Sequence, residues 1–324
     1  MPNRDIRKVK LGSSGLQVSV VGLGTFTWAP VEDGDAIAAI HRAVELGVSW
    51  IDTAPIYGMG HAEELVGQAL AALAPADRPL IFTKCGMVVD EAGLSFRGDP
   101  ASSRRELEQS LRRFGVEAVD LLQLHWPPRD GTPLEDAWAG LVALRDAGLA
   151  RHVGVSNFSA EQLALCEPVG HIDTLQPPFS LLDRAAADAI RWCRDHETGV
   201  IAYSPMAQGL LSGAFTAERA AALSEEDYRH GEEQFVSPKL EQNLALVERL
   251  RPIAEQLGCT LSALAVSWVL SWPGVGGAIV GARTARQVDG WVGAATLTLE
   301  DDVLDRIAGA LRDTAAGTGL LQEC

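Results

Sequence analysis

Four ionisable side chains stand at or just after the ends of short apolar runs, namely Asp52, Tyr57, Lys84 and His125. A tyrosine has an ordinary pKa of about 10 and is a poor acid at neutral pH. An ammonium group within a few ångströms favours the phenolate and lowers that pKa. With Lys84 as this ammonium and Asp52 to orient it, Tyr57 is predicted to donate a proton to a carbonyl oxygen. His125 is predicted to hold the same oxygen.

Protonation of a carbonyl oxygen is productive only if a nucleophile attacks the carbon. The sequence has no GxSxG motif, and Cys85 is predicted to face the other side of its strand from Lys84. No cluster of His, Asp and Glu has metal-ligand spacing, so no metal site is predicted. A hydride from a bound nicotinamide would supply the missing step. The side chains suited to its carboxamide and ring are Ser156, Asn157, Gln176 and, by stacking, Tyr203.

Two alternative roles for these residues stay open. Lys84 at a strand end also permits the Schiff-base chemistry of an aldolase, which requires a lowered lysine pKa. The neighbouring Asp52 argues against this, because a carboxylate keeps the lysine protonated. Each residue alone could also have a purely structural role, as a surface lysine, a buried histidine or a turn asparagine. Polar groups at successive strand ends favour the functional interpretation.

The elements that position these residues form a β-then-α alternation. Eight apolar runs are predicted strands: Val18–Leu23, Ser49–Asp52, Leu80–Lys84, Val119–His125, His152–Ser156, Thr174–Pro177, Val200–Tyr203 and Ala278–Val280. Eight units in about 300 residues predict an α/β fold, the (β/α)8 TIM barrel, with its active site at the carboxyl ends of the strands. A doubly wound sheet is the alternative, but Gly22-Leu23-Gly24 lacks the third glycine of a dinucleotide fingerprint.

Amphipathic segments between the strands predict helices over Ala36–Leu46, Arg104–Phe114, Leu134–Ala147, the segment after Ser159, and Thr260–Trp272. Asp99 is placed to cap the second of these, with Pro100 in its first turn. Ser159 and Gln162 form a possible capping box. Gly47 and Gly148 are predicted to end their helices.

Two segments lie outside the repeat. Lys8–Leu11 and Gln17–Val20 flank GSSG and predict an N-terminal hairpin that plugs the bottom of the barrel. The stretch from Gln208 to about Val236, after strand seven, is long and charged, and predicts a lid or a binding loop. No Pro- or Ser-rich linker and no repeat of short period interrupts the chain, so residues 1–324 are predicted to form one barrel domain.

Composition narrows the function classes. The chain has 324 residues, 47% hydrophobic, and a net charge of −16, which disfavours nucleic-acid phosphates and anionic membranes as partners. No unbroken apolar run approaches the roughly 18 residues of a membrane span, and the N-terminus shows no targeting signature. Five scattered cysteines without CxxC predict neither disulfides nor thiolate zinc. These features predict a soluble cytoplasmic protein with a small-molecule partner; its oligomeric state is not readable.

Seven motifs in chain order resemble those of the aldo-keto reductase superfamily: GLGT (22–25), WIDTAPIYG (50–58), FTKCG (82–86), LLQLHWP (121–127), GVSNFS (154–159), AYSPMAQGLLSG (202–213) and GARTARQ (281–287). The similarity extends from the N-terminal hairpin through Ala294. The chain length and SPMAQGLLSG resemble the bacterial branch that includes inositol-operon-type reductases and potassium-channel β subunits.

The resemblance implies an NADP-dependent reductase of aldehydes or ketones, with Asp52, Tyr57, Lys84 and His125 as catalytic residues and Tyr57 as the proton donor. It implies cofactor contacts from Gly24, Thr25, Asp52, Ser156, Asn157, Gln176, Tyr203, Ser204, Pro205, Met206, Gln208, Gly209, Leu210, Gly281, Arg283 and Gln287. Of these, Arg283 is the expected clamp on the adenosine 2′-phosphate, since a guanidinium suits bidentate phosphate binding. That favours NADP over NAD.

One departure concerns the adenine end of the cofactor. Where the family commonly has an acidic residue and then an asparagine, this chain has Gly290 and Trp291. Trp291 is predicted either to pack near adenine or to belong to the core.

The sequence pattern says little about which carbonyl compound is the substrate. Trp28, Met59, Met87 and Trp126 stand where loops facing the substrate are expected, and either form an apolar mouth or serve packing. Two further functions remain open for such a barrel. One is a redox-sensing regulatory subunit that binds the cofactor and turns over little. The second is an alcohol or sugar dehydrogenase that runs in the oxidative direction.

Overall fold

The computed structural model describes residues 6–28, 31–91 and 93–321. Within these ranges it has twelve strands: β1 Lys8–Lys10, β2 Gln17–Ser19, β3 Val21–Gly24, β4 Trp50–Asp52, β5 Leu80–Cys85, β6 Met87–Asp90, β7 Gly93–Phe96, β8 Val119–Leu124, β9 Ala150–Ser156, β10 Thr174–Gln176, β11 Gly199–Ala202 and β12 Gly277–Gly281. Eight of them close a parallel barrel in the order β3-β4-β5-β8-β9-β10-β11-β12. The predicted (β/α)8 barrel is confirmed.

Eleven α-helices lie along the described chain: α1 Asp33–Glu45, α2 His61–Ala71, α3 Pro100–Phe114, α4 Leu134–Asp146, α5 Ala160–Cys166, α6 Ala187–Asp195, α7 Ala217–Ala221, α8 Lys239–Gln256, α9 Leu261–Ser271, α10 Ala285–Trp291 and α11 Asp301–Thr314. The five predicted helices correspond to α1, α3, α4, α5 and α9. The Asp99 carboxylate accepts from the Ser102 amide at 2.9 Å, and Ser159 with Gln162 forms the complete capping box. Both predicted caps are therefore confirmed.

The barrel interior is filled in layers because alternate residues of a strand point to opposite faces. Near the bottom, Trp50, Phe82 and Leu121 form one cluster with Ile201 and Ile279. The rings of Trp50 and Phe82 lie 4.9 Å apart. Gly22 makes room for this layer, since a Cβ at that position would lie 2.3 Å from the Trp50 ring. The next inward layer, toward the carboxyl ends of the strands, is polar.

The N-terminal hairpin closes the bottom of the barrel. Strands β1 and β2 pair antiparallel with Val9 opposite Val18. Leu11, Leu16 and Val18 join the same cluster as the inward residues of the barrel. The predicted plug is confirmed. Apolar burial of this kind contributes about 25 cal/mol per Å² of area removed from water.

The predicted strand Val18–Leu23 is wrong in its extent, because β2 ends at Ser19 and β3 begins at Val21. The Ser19 hydroxyl donates to the Val21 carbonyl at 2.6 Å and accepts from the Ser49 amide at 2.9 Å. Side-chain bonds to nearby backbone compete with a continuous ladder. The apolar run therefore contains the end of the hairpin and the whole first barrel strand.

Two features beyond the barrel repeat lie in loops at the carboxyl ends of the strands. A second hairpin, β6 with β7, follows β5 directly and is not foreseen from the sequence pattern. The long segment after β11 is not devoid of structure: it contains a 3₁₀ segment over Ala207–Ser212, the short helix α7 and a 3₁₀ turn over Glu233–Phe235. Thr216 caps α7 by accepting from the Arg219 amide at 3.2 Å.

Across the described ranges, no single helix is long and apolar enough to cross a membrane. Only α8 and α9 taken together, bent by 91° between them, reach the length and hydropathy of a span.

Candidate active site

The four predicted catalytic side chains meet at the carboxyl ends of three neighbouring strands. The Lys84 Nζ donates to Asp52 Oδ1 at 2.6 Å, to the Thr53 carbonyl at 2.9 Å and to the Tyr57 hydroxyl at 3.2 Å. The rings of Tyr57 and His125 lie edge to face, 5.9 Å apart. The predicted convergence of these residues is therefore present in the structure.

The period of two along β5 decides which side chain enters the site. Phe82 and Lys84 point into the barrel, whereas Thr83 and Cys85 face the helices. Cys85 is buried there, and burial raises the pKa of its thiol. The prediction that Cys85 faces away from Lys84 is confirmed, and the thiol is not placed to attack a substrate.

The ion pair between Lys84 and Asp52 is buried, with both side chains less than 5% exposed. Burial lowers the pKa of Lys84, but attraction to Asp52 and Tyr57 outweighs burial, and the net pKa is raised. Burial raises the pKa of Asp52, which Lys84 and Gln176 oppose. Lys84 is therefore a charged donor with three acceptors, which is the opposite of the lowered pKa that a Schiff-base lysine needs.

The predicted lowering of the Tyr57 pKa is wrong in its net direction. Burial raises the pKa of the phenol, and this exceeds the lowering by Lys84 through its charge and its hydrogen bond. The contribution of Lys84 has the predicted sign, but desolvation of the phenolate is larger. The pKa of His125 lies well below its ordinary value because burial and the charge of Lys84 both disfavour the imidazolium.

The residues predicted to bind a carboxamide form a hydrogen-bonded network beside the ion pair. Gln176 Nε2 donates to Asp52 Oδ2 at 2.7 Å, and the Ser156 hydroxyl donates to the Gln176 carbonyl at 2.8 Å. Asn157, in the left-handed region with φ 65°, accepts from the Tyr203 hydroxyl at 2.8 Å. The network links the ends of β9, β10 and β11 to Asp52.

Gln123 belongs to the same polar layer and was not predicted. It is fully buried on β8, and its amide helps to lower the pKa of Asp52. Its side-chain oxygen lies 3.5 Å from the Thr174 hydroxyl. In the sequence, Gln123 does not close its apolar run but stands two positions before its end. The period of two on β8, with Leu121 and His125 facing inward, is the signal that points to it.

The segment after β11 makes a tight turn over residues 204–209, called the β11 turn below. Ser204, Ala207, Gln208 and Gly209 all have positive φ, at 56°, 46°, 56° and 101°. The Ala207 and Gly209 amides donate to the Ser204 and Met206 carbonyls at 2.9 and 3.1 Å, so the turn is closed by its own hydrogen bonds. Of the other predicted residues in this segment, Pro205 and Leu210 are buried and Met206 is half-buried. These residues, predicted to contact the cofactor, thus lie together in one turn after β11.

The carboxyl end of β12 lies beside the β11 turn, because β12 pairs with β11 on one side and with β3 on the other. Gly281 closes β12, and the side chain of Arg283 is exposed just beyond it. Gln287 accepts from the Arg283 backbone amide at 2.6 Å. Gly24 closes β3, and Thr25 beside it donates its hydroxyl to Thr53 at 2.9 Å. The exposed Arg283 guanidinium lies beside the β11 turn, an arrangement that fits the phosphates of a dinucleotide.

Two tryptophans with two alternative predicted roles, Trp28 and Trp291, lie in the core. Trp28 is 1% exposed, and its indole N–H donates to the Ala282 carbonyl at 2.7 Å. Burial and this contact support packing, the second of the two roles predicted for Trp28. Trp291 is also 1% exposed and packs in the core, which decides between its two predicted positions.

The mouth beside Tyr57 has aromatic walls that the sequence did not reveal. The ring of Phe26 lies 5.3 Å from the ring of Tyr57 and 5.4 Å from that of Tyr228, both edge to face. Phe26 is 53% exposed and Tyr228 is 44% exposed. Phe26 stands two positions from Trp28 on the same loop, whereas Tyr228 lies in the charged stretch SEEDYRHGEEQ, where no pattern marks it.

The remaining three candidate substrate residues lie in loops at this end of the barrel. Met59 is 64% exposed on the turn after Tyr57, and Met87 is half-buried on β6. Trp126 packs edge to face on Phe96, with ring centroids 5.9 Å apart. Within the described residues, no group of three or more His, Cys, Asp or Glu is arranged to hold a metal ion.

Comparison with known proteins agrees with this geometry. The model of the aldo/keto reductase family matches residues 20–312. Aldo-keto reductase YhdN of Bacillus subtilis (strain 168) is 32% identical over 304 residues, covering 90% of each chain. The NADH-specific methylglyoxal reductase of Escherichia coli (strain K12) is 32% identical over 318 residues, covering 91% of this chain and 95% of that one.

Among solved structures, the glycerol dehydrogenase AKR11B4 from Gluconobacter oxydans is 32% identical, with a TM-score of 0.88. The alignment covers 99% of this chain and 100% of that structure. Proteins of this family are oxidoreductases that use nicotinamide cofactors. On its motifs, its closed barrel and a family match across most of its length, the chain belongs to the aldo/keto reductase family.

Proposed function

We propose that the protein reduces an aldehyde or ketone to an alcohol with NADPH, and that Tyr57 is the general acid. The observation that supports this most is the contact of the Tyr57 hydroxyl with Lys84 Nζ at 3.2 Å, at the mouth of the barrel. A proton donor has to be protonated before reaction, and the raised pKa of Tyr57 keeps it so at neutral pH. Lys84 then stabilises the negative charge that develops on the phenol oxygen as the proton leaves.

The neighbours of Tyr57 have supporting roles in this proposal. Asp52 holds Lys84 charged and in place through their 2.6 Å contact. His125 is neutral at physiological pH, since burial lowers its pKa, and a neutral imidazole orients the substrate oxygen by one hydrogen bond. A neutral His125 also avoids a second positive charge beside Lys84.

The cofactor in this proposal lies across the ends of β9 to β12 and supplies a hydride to the carbonyl carbon. Ser156, Asn157 and Gln176 would hold the carboxamide, Tyr203 would stack on the ring, and the β11 turn would contact the diphosphate. Arg283 would bind the 2′-phosphate, which is the reason for proposing NADP. The Escherichia coli relative is named as NADH-specific, so the choice of cofactor needs its own measurement.

The test is a set of initial rates for the purified protein with 4-nitrobenzaldehyde and methylglyoxal, with NADPH and NADH side by side. We expect rapid oxidation of NADPH and its loss in Tyr57→Phe, which removes the donor hydroxyl and keeps the ring. Rapid turnover would also rule out the regulatory subunit with little activity. Full activity in Tyr57→Phe would overturn the role of Tyr57, and equal rates with both cofactors would overturn the NADP preference.

A second candidate is oxidation of an alcohol or polyol by the same residues run in reverse. The similarity to a solved structure named as a glycerol dehydrogenase favours it, at 32% identity over nearly the whole chain. In this direction the phenolate of Tyr57 accepts the hydroxyl proton, which its raised pKa makes favourable but which requires alkaline pH to prepare. Rates with glycerol and NADP⁺ between pH 7 and 10 distinguish the two directions.

We also propose that the protein acts in the cytoplasm. Residues 1–324 form one barrel domain in this proposal, and the partner is a small carbonyl compound. Support comes from the absence of CxxC pairs in the sequence and the net charge of −16. Nucleic acid and membrane are not partners in this proposal.

A further inference from the structure

The turn that carries Tyr57 has an unusual backbone. Gly58, Met59 and Gly60 lie consecutively in the left-handed region, with φ of 59°, 56° and 97°. Met59 is not a glycine, and such a conformation costs an ordinary residue about 1–2 kcal/mol. A strained turn persists only when its surroundings hold it. Its neighbours on α2, α3 and β5 therefore decide where the Tyr57 hydroxyl lies.

A buried carboxylate stands directly after this turn. Glu63, in the first turn of α2, has no exposed surface. One oxygen accepts from the Thr83 hydroxyl at 2.7 Å, and the other accepts from the Ser110 hydroxyl at 3.1 Å and from Arg113 Nη1 at 2.7 Å. The helix that follows Tyr57 is thus tied to β5 at the residue before Lys84, and to α3. Removing one partner would leave the buried charge of Glu63 uncompensated, which is costly. We therefore expect these contacts to hold the start of α2 firmly against β5 and α3.

The Arg113 guanidinium makes a second contact, with the turn itself. A Cβ placed on Gly60 would lie 2.6 Å from Arg113 Nε and 2.8 Å from its Cζ. The guanidinium therefore fills the space that a side chain would occupy and packs against the last residue of the turn. Arg113 reaches this place from α3, with 23% of its side chain exposed.

We propose that Glu63 and Arg113 are positioning residues for the pair Tyr57 and Lys84, acting from outside the barrel wall. Glu63 acts through Thr83 on the strand that carries Lys84, and Arg113 acts through Gly60 on the turn that carries Tyr57. Together they set the 3.2 Å contact between phenol and ammonium. This inference rests on the proposed role of Tyr57 in proton transfer.

Small displacements matter here because the contact is a single hydrogen bond between two otherwise constrained side chains. A misplacement of about 1 Å in a catalytic constellation costs on the order of 100-fold in rate. Loss of Glu63 or Arg113 is therefore expected to lower kcat while leaving the proposed cofactor-binding residues at the ends of β9 to β12 undisturbed. The effect should appear in kcat and not in cofactor affinity.

The experiment compares Arg113→Met and Glu63→Gln with the control Arg112→Met, which removes an exposed guanidinium from the adjacent position of α3. We expect kcat to fall roughly 10- to 100-fold in the first two, with the NADPH Kd unchanged. The double variant should be no slower than the slower single variant, because both act on one contact. Arg112→Met should behave as the parent protein.

A second readout does not depend on activity. The chain has three tyrosines, so ¹³C labelling at tyrosine Cζ gives three resonances, and Tyr57→Phe identifies the one from Tyr57. In Arg113→Met we expect that resonance to shift or broaden while those of Tyr203 and Tyr228 stay in place. A merely structural role of Arg113 would lower the melting temperature and leave the resonance and kcat of the folded protein unchanged.

The outcomes separate the two proposals. Parent kcat and an unmoved Tyr57 resonance in folded Arg113→Met would overturn the positioning role. If Arg113→Met fails to fold, Glu63→Gln, which keeps the shape of the side chain, carries the same test. Activity that survives Tyr57→Phe would overturn the proposed function, whereas the resonance would still report on the positioning.

Discussion

At the scale of single residues, Tyr57 shows burial competing with charge. Lys84 lies 5.0 Å from the centre of its ring and within hydrogen-bond distance of its hydroxyl. Desolvation nevertheless raises the pKa of the phenol above its ordinary value. The ammonium is then most useful during the reaction, when charge appears on the oxygen, and less useful in lowering the resting pKa.

His125 should make the folded state sensitive to acid. Its pKa in the folded protein lies well below its ordinary value of 6.5, because burial and Lys84 disfavour the charged ring. Below a pH of about 6.5, His125 therefore binds a proton in the unfolded chain but stays neutral in the folded chain. As the pH falls further, the free energy of unfolding decreases by up to about 1.4 kcal/mol per pH unit. Urea denaturation at pH 7, 6 and 5 should show a smaller loss in His125→Gln. Parallel curves for both proteins would contradict this.

Arg283 is predicted to discriminate between the two cofactors. Its exposed guanidinium lies just beyond β12, where a 2′-phosphate would make charge-assisted hydrogen bonds worth about 1.5–3 kcal/mol. Arg283→Ala should weaken NADPH binding at least about 10-fold and leave NADH binding unchanged, as measured by fluorescence titration. Arg112→Ala, on the far helix α3, is the control. Equal losses for both cofactors would refute this role.

At the scale of elements, α3 depends on its N-terminal cap. The Asp99 carboxylate accepts from the Ser102 amide at 2.9 Å, and Pro100 occupies the first turn. Asp99→Ala should lower the free energy of unfolding by about 1 kcal/mol. Asp99→Asn keeps an acceptor oxygen and should stay close to the parent protein. The measurement is the urea midpoint, with an unchanged m-value as evidence that only stability differs.

The opposite result would also be informative. If Asp99→Asn destabilises as much as Asp99→Ala, the charge of Asp99 matters more than its hydrogen bond. The 3.8 Å approach of Arg105 to Asp99 is then the contact to test.

At the scale of the whole molecule, the two ends of the barrel have separate tasks. The hairpin end holds an apolar cluster, whereas the other end holds the polar residues of the site. Leu11 is fully buried in the hairpin, and Leu11→Ala should cost about 2–5 kcal/mol of stability. The kcat of the folded variant should stay unchanged, because the site lies at the other end. Thermal denaturation and initial rates measure the two effects.

Leu165→Ala is the matched control for Leu11→Ala, since Leu165 is 52% exposed on α5 and should cost little. A large fall in kcat for Leu11→Ala at a temperature where the protein is folded would contradict the separation of the two ends.

The sequence by itself determined the barrel and the identity of the four catalytic candidates at its mouth. The alternation of apolar runs and amphipathic segments is local, and the rule that parallel strands end at one face brings Asp52, Lys84 and His125 together without coordinates. Caps such as Asp99 are also local, since the donor lies three residues away. The strand break at Ser19 cannot be read from the sequence in this way, because it depends on Ser49, which lies just before β4 and 30 residues away in the chain.

Only the tertiary structure decided the properties that depend on many distant neighbours at once. The net pKa of Tyr57, the burial of Trp28 and the contact of Phe26 with Tyr228 are of this kind. So is the packing of Arg113 against Gly60. Desolvation sums over every atom around a group, and ring contacts join loops that are far apart in the chain. Neither desolvation nor contacts between distant loops can be read from spacing along a sequence. The sequence therefore identified the catalytic candidates but not their surroundings.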